Sequence, residues 1–151
     1  MRAKFKSATV SDEEVLMNLR REFCEFESFP NPLDEQTNRR VLRMLIENEQ
    51  AGRIWMILIE GEAVGYVVLT FGYRLEYAGR DALIDELYLR EKFRGFGIGK
   101  QTVAFIEEFC RAQNIKTVHL EVDRTNTAAK TLYRQSGFVD HERHFLTKWI
   151  Q

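Results

Sequence analysis

The segment from residue 84 to residue 113 constrains this chain more than any other. An apolar stretch, Ile84-Asp85-Glu86-Leu87-Tyr88-Leu89, runs into Arg90-Glu91-Lys92-Phe93-Arg94-Gly95-Phe96-Gly97-Ile98-Gly99-Lys100, after which Val103, Ile106 and Cys110 recur at helical spacing. The pattern predicts a strand, a glycine loop and a helix in succession. Glycines at alternate positions ahead of a helix let backbone N–H groups approach an anion closely, because no Cβ stands in the way and the helix dipole favours negative charge. Arg90, Lys92, Arg94 and Lys100 add positive charge. Two other nucleotide motifs do not fit. A P-loop needs Gly where Arg94 stands and Ser or Thr where Gln101 stands. A dinucleotide fingerprint opening at Gly95 or Gly97 ends on Lys100 or Thr102 instead of Gly, and it comes late in the chain instead of after the first strand.

Periodicity organises the remainder. Residues 4–9 read as a strand, and Ser11 with Glu14 forms a capping box ahead of a helix that carries Val15, Leu16, Leu19 and Phe23 on one face. A second helix starts near Asp34, with Val41, Leu42, Leu45 and Ile46 at the same spacing. A loop at residues 26–33 separates them. Residues 53–60 and 63–73 are β-rich, with Gly61-Glu62 as a hairpin turn, and residues 82–89 supply the next strand. After the glycine loop and its helix, Val118, Leu120 and Val122 alternate with polar residues as a half-buried strand does. A helix from Thr127 ends near Gly137, and residues 138–139 and 144–150 read as last strands. The expected fold class is α/β (α+β): a single domain over residues 1–151, with a mixed, mostly antiparallel sheet of about six or seven strands flanked by about four helices.

The chain has 151 residues, 22 Lys and Arg against 23 Asp and Glu, and 44% hydrophobic residues, which suits one soluble domain with a sizeable core. Near-neutral charge argues against nucleic acid as a partner, since that affinity rests on clustered Lys and Arg. No stretch has the length of a membrane span or the pattern of a signal peptide, so a cytoplasmic protein without a membrane partner is expected. Cys24 and Cys110 read as reduced core thiols. His119, His141 and His144 lack metal-ligand spacing, so no metal is expected. His119, on the polar face of its strand, reads as a solvated or hydrogen-bonded side chain, with lining of an acceptor site as the alternative.

Arg94-Gly95-Phe96-Gly97-Ile98-Gly99 resembles the [RQ]-x-x-G-x-[GA] signature of the GCN5-related N-acetyltransferase (GNAT) family. Asn126, Ala128-Ala129-Lys130-Thr131-Leu132-Tyr133 and Ser136-Gly137-Phe138 resemble that family's N-x-x-A-x-x-L-Y-x-x-x-G-F run. The likeness is close over residues 84–139, and its core motif is most similar to the diamine acetyltransferase branch, although residues 73–81 suggest a separate subgroup.

The resemblance implies acetyl transfer from acetyl-CoA to a primary amine, with the strands at 82–89 and 117–122 splayed to admit the cofactor. Unpaired backbone groups of Leu87, Tyr88 and Leu89 would hold the pantetheine arm. The pyrophosphate would meet the amides of Gly95, Phe96, Gly97, Ile98, Gly99 and Lys100, with Arg94 adding charge or holding the loop. An amine attacks a thioester only when neutral, and a lysine-like ammonium has a pKa of ~10.4, so a base is needed. Glu86 is the candidate, and Asp85 competes because a bulge would change which carboxylate faces the cleft. Tyr133 matches the family's proton donor to the departing thiolate. Asn126 caps the next helix or bonds the cofactor.

Between Glu22 and Gln36 stand five acidic residues and no basic one, interleaved with Phe23, Phe26 and Phe29. Such a wall, with Glu25 and Glu27 as binding candidates and residues 71–81 opposite, would suit a small cationic amine through charge and cation–π contact. Its alternative is a solvated helix end. Three functions remain open at this stage: an N-acetyltransferase acting on small amines or on protein N-termini and lysines, a silent acetyl-CoA-binding module, and a protein-interaction domain. The family also contains homodimers.

Overall fold

Five strands form one sheet in the order β1-β2-β3-β4-β5, comprising Lys4–Ser7, Gly52–Ile59, Glu62–Arg74, Gly79–Leu89 and Thr117–Leu120. The first four are antiparallel neighbours and β5 joins β4 in parallel, so the sheet is mixed as expected. The helices are α1 (Glu13–Glu27), α2 (Glu35–Ile46), α3 (Ile98–Ala112) and α4 (Thr127–Gln135). This computed structural model describes residues 1–29 and 32–151, so part of the loop expected at 26–33 lies outside the described residues. Two units are distinguished, Met1–Glu121 and Val122–Gln151.

In the first unit both faces of the sheet are covered. Leu16, Leu19 and Phe23 of α1 and Leu42 of α2 pack on Ile54, Met56, Tyr66, Val68 and Tyr88. On the opposite face Ile98 of α3 joins Ile57, Ile59 and Val64, with Leu87 and Leu89 against them, and the Trp55 ring meets Phe105 and Phe109. Alternation along β4 therefore sends Tyr88 to one core and its two neighbours to the other.

Local rules fix the boundaries, with shifts from the sequence expectation. The capping box uses Thr9 and Asp12 instead of Ser11 and Glu14: the Thr9 amide donates to Asp12 Oδ2 at 2.8 Å. Glu14 is instead engaged by Arg39, and Glu13 is buried between Arg43 (Nε to Oε2, 2.9 Å) and Arg39 (Nη1 to Oε1, 3.0 Å), clamping α1 to α2. The hairpin between β2 and β3 turns at Glu60-Gly61, one residue earlier than expected. Both have positive φ, as the tight primed turns require. Asp34 caps α2 by accepting from the Thr37 amide at 2.7 Å. Cys110 is buried and Cys24 half-buried, both as free thiols, and burial raises the Cys110 pKa to about 11.

In the second unit Asn126 caps α4, its Oδ1 accepting from the Ala129 amide at 3.1 Å. Residues 138–151 carry no strand, so the sheet has five members and not six or seven. Their alternation is β-compatible, but a pattern cannot supply the partner edge on which a strand depends.

Leu16 is fully buried in the α1 core. Leu16→Ala is expected to lower unfolding stability by about 2–5 kcal/mol, read by urea denaturation.

Candidate active site

β4 is paired with β5 only through Ile84, whose partner is Leu120. Beyond that point its edge has no strand partner among the described residues, while its other edge stays bonded to β3 as far as Leu89. β5 ends at Leu120, so the pairing of β4 with β5 stops midway along β4, between the two strands for which the resemblance implies a splay. At the same place the β3–β4 register slips: Val68 faces Glu86 and Leu69 faces Ile84, leaving Asp85 as the extra residue of a bulge.

The bulge separates the two candidate bases. Glu86 is 9% exposed and enclosed by donors. Arg20 Nε lies 2.9 Å from Oε1, Arg20 Nη2 2.8 Å from Oε2, and the Tyr66 hydroxyl donates to Oε1 at 2.8 Å. Burial and Glu86 together raise the Tyr66 pKa well above normal. Burial would weaken Arg20's hold on its proton, and the bonded Glu86 carboxylate more than reverses this. Asp85 has no such bracket. Its surface is open, yet the surrounding protein displaces enough water to raise its carboxyl pKa, aided by the charges of Glu86 and Glu121 and opposed by Arg20.

Past Leu89 the chain makes a short 3-10 turn, Glu91–Phe93, and then the glycine loop. Gly95 and Gly97 have φ near +80°, and a Cβ built on either meets nothing within 4 Å, so the loop's outer side is open. The first α3 amide bonded into its helix is that of Gln101, to the Gly97 carbonyl at 3.1 Å. The amides of Ile98, Gly99 and Lys100 are therefore the free donors of a helix N-terminus, and those of Gly95, Phe96 and Gly97 have no backbone acceptor among the described residues. The side chain of Ile98 goes inward; Phe96 and Lys100 are exposed.

Arg94 holds the loop. Its Nε donates to the Leu89 carbonyl at 2.9 Å, and its guanidinium lies 4.3 Å from the Phe26 ring centre and 5.7 Å from that of Tyr88. Arg90 is paired with Glu22 at 3.1 Å, at the rim of an open cleft of about 580 Å³ that Tyr88, Glu91 and Lys92 also line.

The acidic run between Glu22 and Gln36 divides on inspection. Glu22 pairs with Arg90, Asp34 caps α2 and Glu35 lies 3.5 Å from Arg39. Glu25 and Glu27 have no hydrogen bond or ion pair among the described residues. His119 is half-buried, its Nε2 3.3 Å from Asp81 Oδ2 without hydrogen-bond alignment, beneath the Tyr77 ring. In the second unit Tyr133 is half-buried on α4, its ring 5.7 Å from that of Phe138. Among the described residues no group of three His, Cys, Asp or Glu could hold a metal ion, and no helix is long and apolar enough to cross a membrane.

Sequence reasoning missed Arg20, Asn38 and Tyr66. A signal existed: Arg20 stands between Leu16 and Phe23 at core spacing, and Asn38 precedes Leu42 and Leu45 likewise, so each is a polar residue on an inward face.

A parted parallel pair, a bulge and an amide-lined turn occur together here, and the acetyltransferase (GNAT) family model matches residues 14–138. The chain belongs to the GNAT family. It is 33% identical over 86 residues to the uncharacterised N-acetyltransferase YycN of Bacillus subtilis, an alignment covering 56% of this chain and 54% of that one. The chain therefore spans about half the length of this curated relative. Among solved structures, an integron cassette protein from the mobile metagenome of Cole Harbour Salt Marsh superposes with a TM-score of 0.85 and 27% identity, covering 97% of this chain and 90% of its own. A predicted acetyltransferase from Clostridium acetobutylicum, crystallised with acetyl-CoA, superposes with a TM-score of 0.82 at 16% identity, covering 97% and 96%. The fold is that of GNAT proteins, with a mixed sheet of five strands and four helices among the described residues.

Gly97→Val puts a branched side chain at φ +81° on the open side of the loop. If the loop is the pyrophosphate site that the resemblance implies, CoA affinity read by calorimetry is expected to fall by about ten-fold or more while the thermal transition persists.

Proposed function

We propose that this chain is an acetyl-CoA-dependent N-acetyltransferase that acetylates the primary amine of a small cationic molecule. The observation that carries the reading is the unpaired edge of β4 leading directly into the free amides at residues 95–100. The fit is chemical: an amide-rich arm finds backbone partners along Leu87, Tyr88 and Leu89, and a pyrophosphate finds N–H donors and no Cβ in its way. The GNAT relative crystallised with acetyl-CoA supports the same ligand. Acetyl-CoA supplies an activated acetyl thioester.

The protein's own work is positioning and proton transfer. The acceptor nitrogen bonds the acetyl carbon as the carbon–sulfur bond breaks; the nitrogen's proton goes to a carboxylate, and the thiolate takes one from a donor. Of the two carboxylates, Asp85 is favoured as the acceptor of the proton, because Glu86 is already bonded to Arg20 and Tyr66. A base with a raised pKa also binds the proton better near neutral pH. Tyr133 is assigned as the donor on the match of Leu132-Tyr133 to the family motif. A cationic acceptor, of which a diamine is the narrowest version, is favoured by Asp85, Glu121, Glu25 and Glu27, which carry no bonded cation among the described residues.

Thiol release from acetyl-CoA in the presence of a panel of primary amines tests the reading. Release with cationic amines is expected. Acetyl-CoA binding without release would leave a silent binding module, and no binding would leave an interaction domain. Tyr133→Phe is expected to lower turnover roughly 10²-fold with acetyl-CoA affinity unchanged. Replacing Glu25 and Glu27 together with Gln is expected to raise the acceptor KM only, and to blunt its dependence on salt, since exposed charges are screened over ~10 Å at 0.1 M. Equal salt dependence in both proteins would assign these carboxylates to ordinary surface charge.

A further inference from the structure

Three elements, β4, α1 and β3, meet at the Glu86 carboxylate, and a fourth joins through Arg20. Arg20 reaches it from α1, Tyr66 from β3, and Arg20 in turn donates Nη1 to Asn38 Oδ1 on α2. The Arg20 and Glu86 side chains are 15% and 9% exposed. Three N–H···O contacts from one guanidinium and one phenol O–H occupy both carboxylate oxygens. To take a proton from an acceptor amine, Glu86 would have to give up a charge-assisted fork in a poorly hydrated place, where such pairs are costly to break.

We infer that Arg20, Tyr66 and Asn38 make Glu86 a positioning residue: held one step past the bulge, it fixes the backbone that presents Asp85 at the open face of β4. This rests on the reading of Asp85 as the proton acceptor. A bulged residue is left unpaired by the ladder, so its neighbours set its direction. Before Asp85 the strand is fixed by the pairing of Ile84 with Leu69 and Leu120; after it, by the bracket on Glu86. The bracket also sets the charge around Asp85. The groups that act on it are Glu86 on its own strand and Glu121 just past β5, both negative, and Arg20 from α1, positive. Removing a negative neighbour makes Asp85 a weaker base, and removing the positive one makes it stronger.

The two directions give the test. In carboxyl ¹³C NMR titrations of the full chain, Asp85 is expected to titrate at lower pH in Glu86→Gln and at higher pH in Arg20→Gln than in the wild type. The acidic limb of turnover with acetyl-CoA and the most active amine of the panel should move the same way. Glu86→Gln is expected to keep its plateau turnover within about ten-fold, while Asp85→Asn loses about 10²-fold or more and leaves acetyl-CoA affinity intact. Arg20→Lys should restore the wild-type limb in part. Should Arg20→Gln fail to fold, the isosteric Glu86→Gln and the milder Tyr66→Phe still report; the latter should lower kcat without raising the acetyl-CoA KM. An Asp85 titration unmoved by Glu86→Gln overturns the inference. So does a 10²-fold loss in Glu86→Gln beside an active Asp85→Asn, which would make Glu86 the base. Wild-type turnover in Asp85→Asn with the titration shifts intact would instead sink the reading of Asp85 and leave the bracket standing.

Discussion

The ion pair between Arg20 and Glu86 is the contact on which the first unit most depends, because one buried carboxylate ties α1, and through Arg20 also α2, to the centre of the sheet. Such a pair adds little net stability over an apolar pair of the same shape, since both charges give up hydration to form it. Its consequence is specificity. With either partner removed the other is left buried and unpaired, at a cost of about 3–5 kcal/mol, so a packing of α1 on β4 that separates the pair is disfavoured. The surrounding contacts are permissive by comparison: Leu16, Leu19 and Phe23 could meet the sheet in more than one register, whereas a guanidinium fork fits one carboxylate in one way.

The same strand then serves a second requirement at its far end. An anion there, as proposed, would meet backbone dipoles as well as side-chain charge. Arg94 is bonded to the Leu89 carbonyl and stacked on Phe26, and Arg90 is neutralised by Glu22, so two of the four cations near the loop shape it instead of facing an anion. What remains is Lys92, Lys100 and a row of amides opened by two glycines with positive φ and by the start of α3. Fixed dipoles need no reorganisation when an anion arrives, and they cannot be lured away by a neighbouring carboxylate as a flexible lysine can.

The order of elements was legible in the sequence because it rests on local signals: alternation in β2 to β4, helical spacing in α1 to α3, and glycines at 95 and 97; the splay came only with the family resemblance. The glycine loop was legible for the same reason, since free amides and positive φ are properties of adjacent residues. Partnerships were not. Nothing local says that Glu86 meets Arg20 across sixty-six residues or that Glu13 is clamped by α2. The bulge at Asp85 was foreseen only as an alternative, because it arises from the register of two strands and not from either alone. The missing strands after residue 138 fail likewise: alternation marks a segment that can pair, and pairing needs an edge that sequence pattern does not locate. The acidic run misleads in the opposite way, since composition counts charges without showing that Glu22, Asp34 and Glu35 already have partners.

On the proposed reading β4 would serve a cationic acceptor near Asp85 and a polyanionic donor near the glycine loop, and its length keeps the two demands apart. From Asp85 to Leu89 β4 advances four residues, about 13 Å at ~3.3 Å each, before the glycine loop begins. That distance exceeds the Debye length of ~8–10 Å in physiological salt, so across open solvent the carboxylate at the bulge repels an anion at residues 95–100 only weakly. The same span is what an arm must bridge if its phosphates sit on the amides while its reacting carbon lies beside Asp85. On that reading, shortening β4 would bring the two fields into opposition, and lengthening it would leave the reacting carbon short of Asp85. The bulge, on the same reading, acts as a ruler as well as a turn, for it sets where along β4 the Asp85 carboxylate stands relative to the amides at residues 95–100.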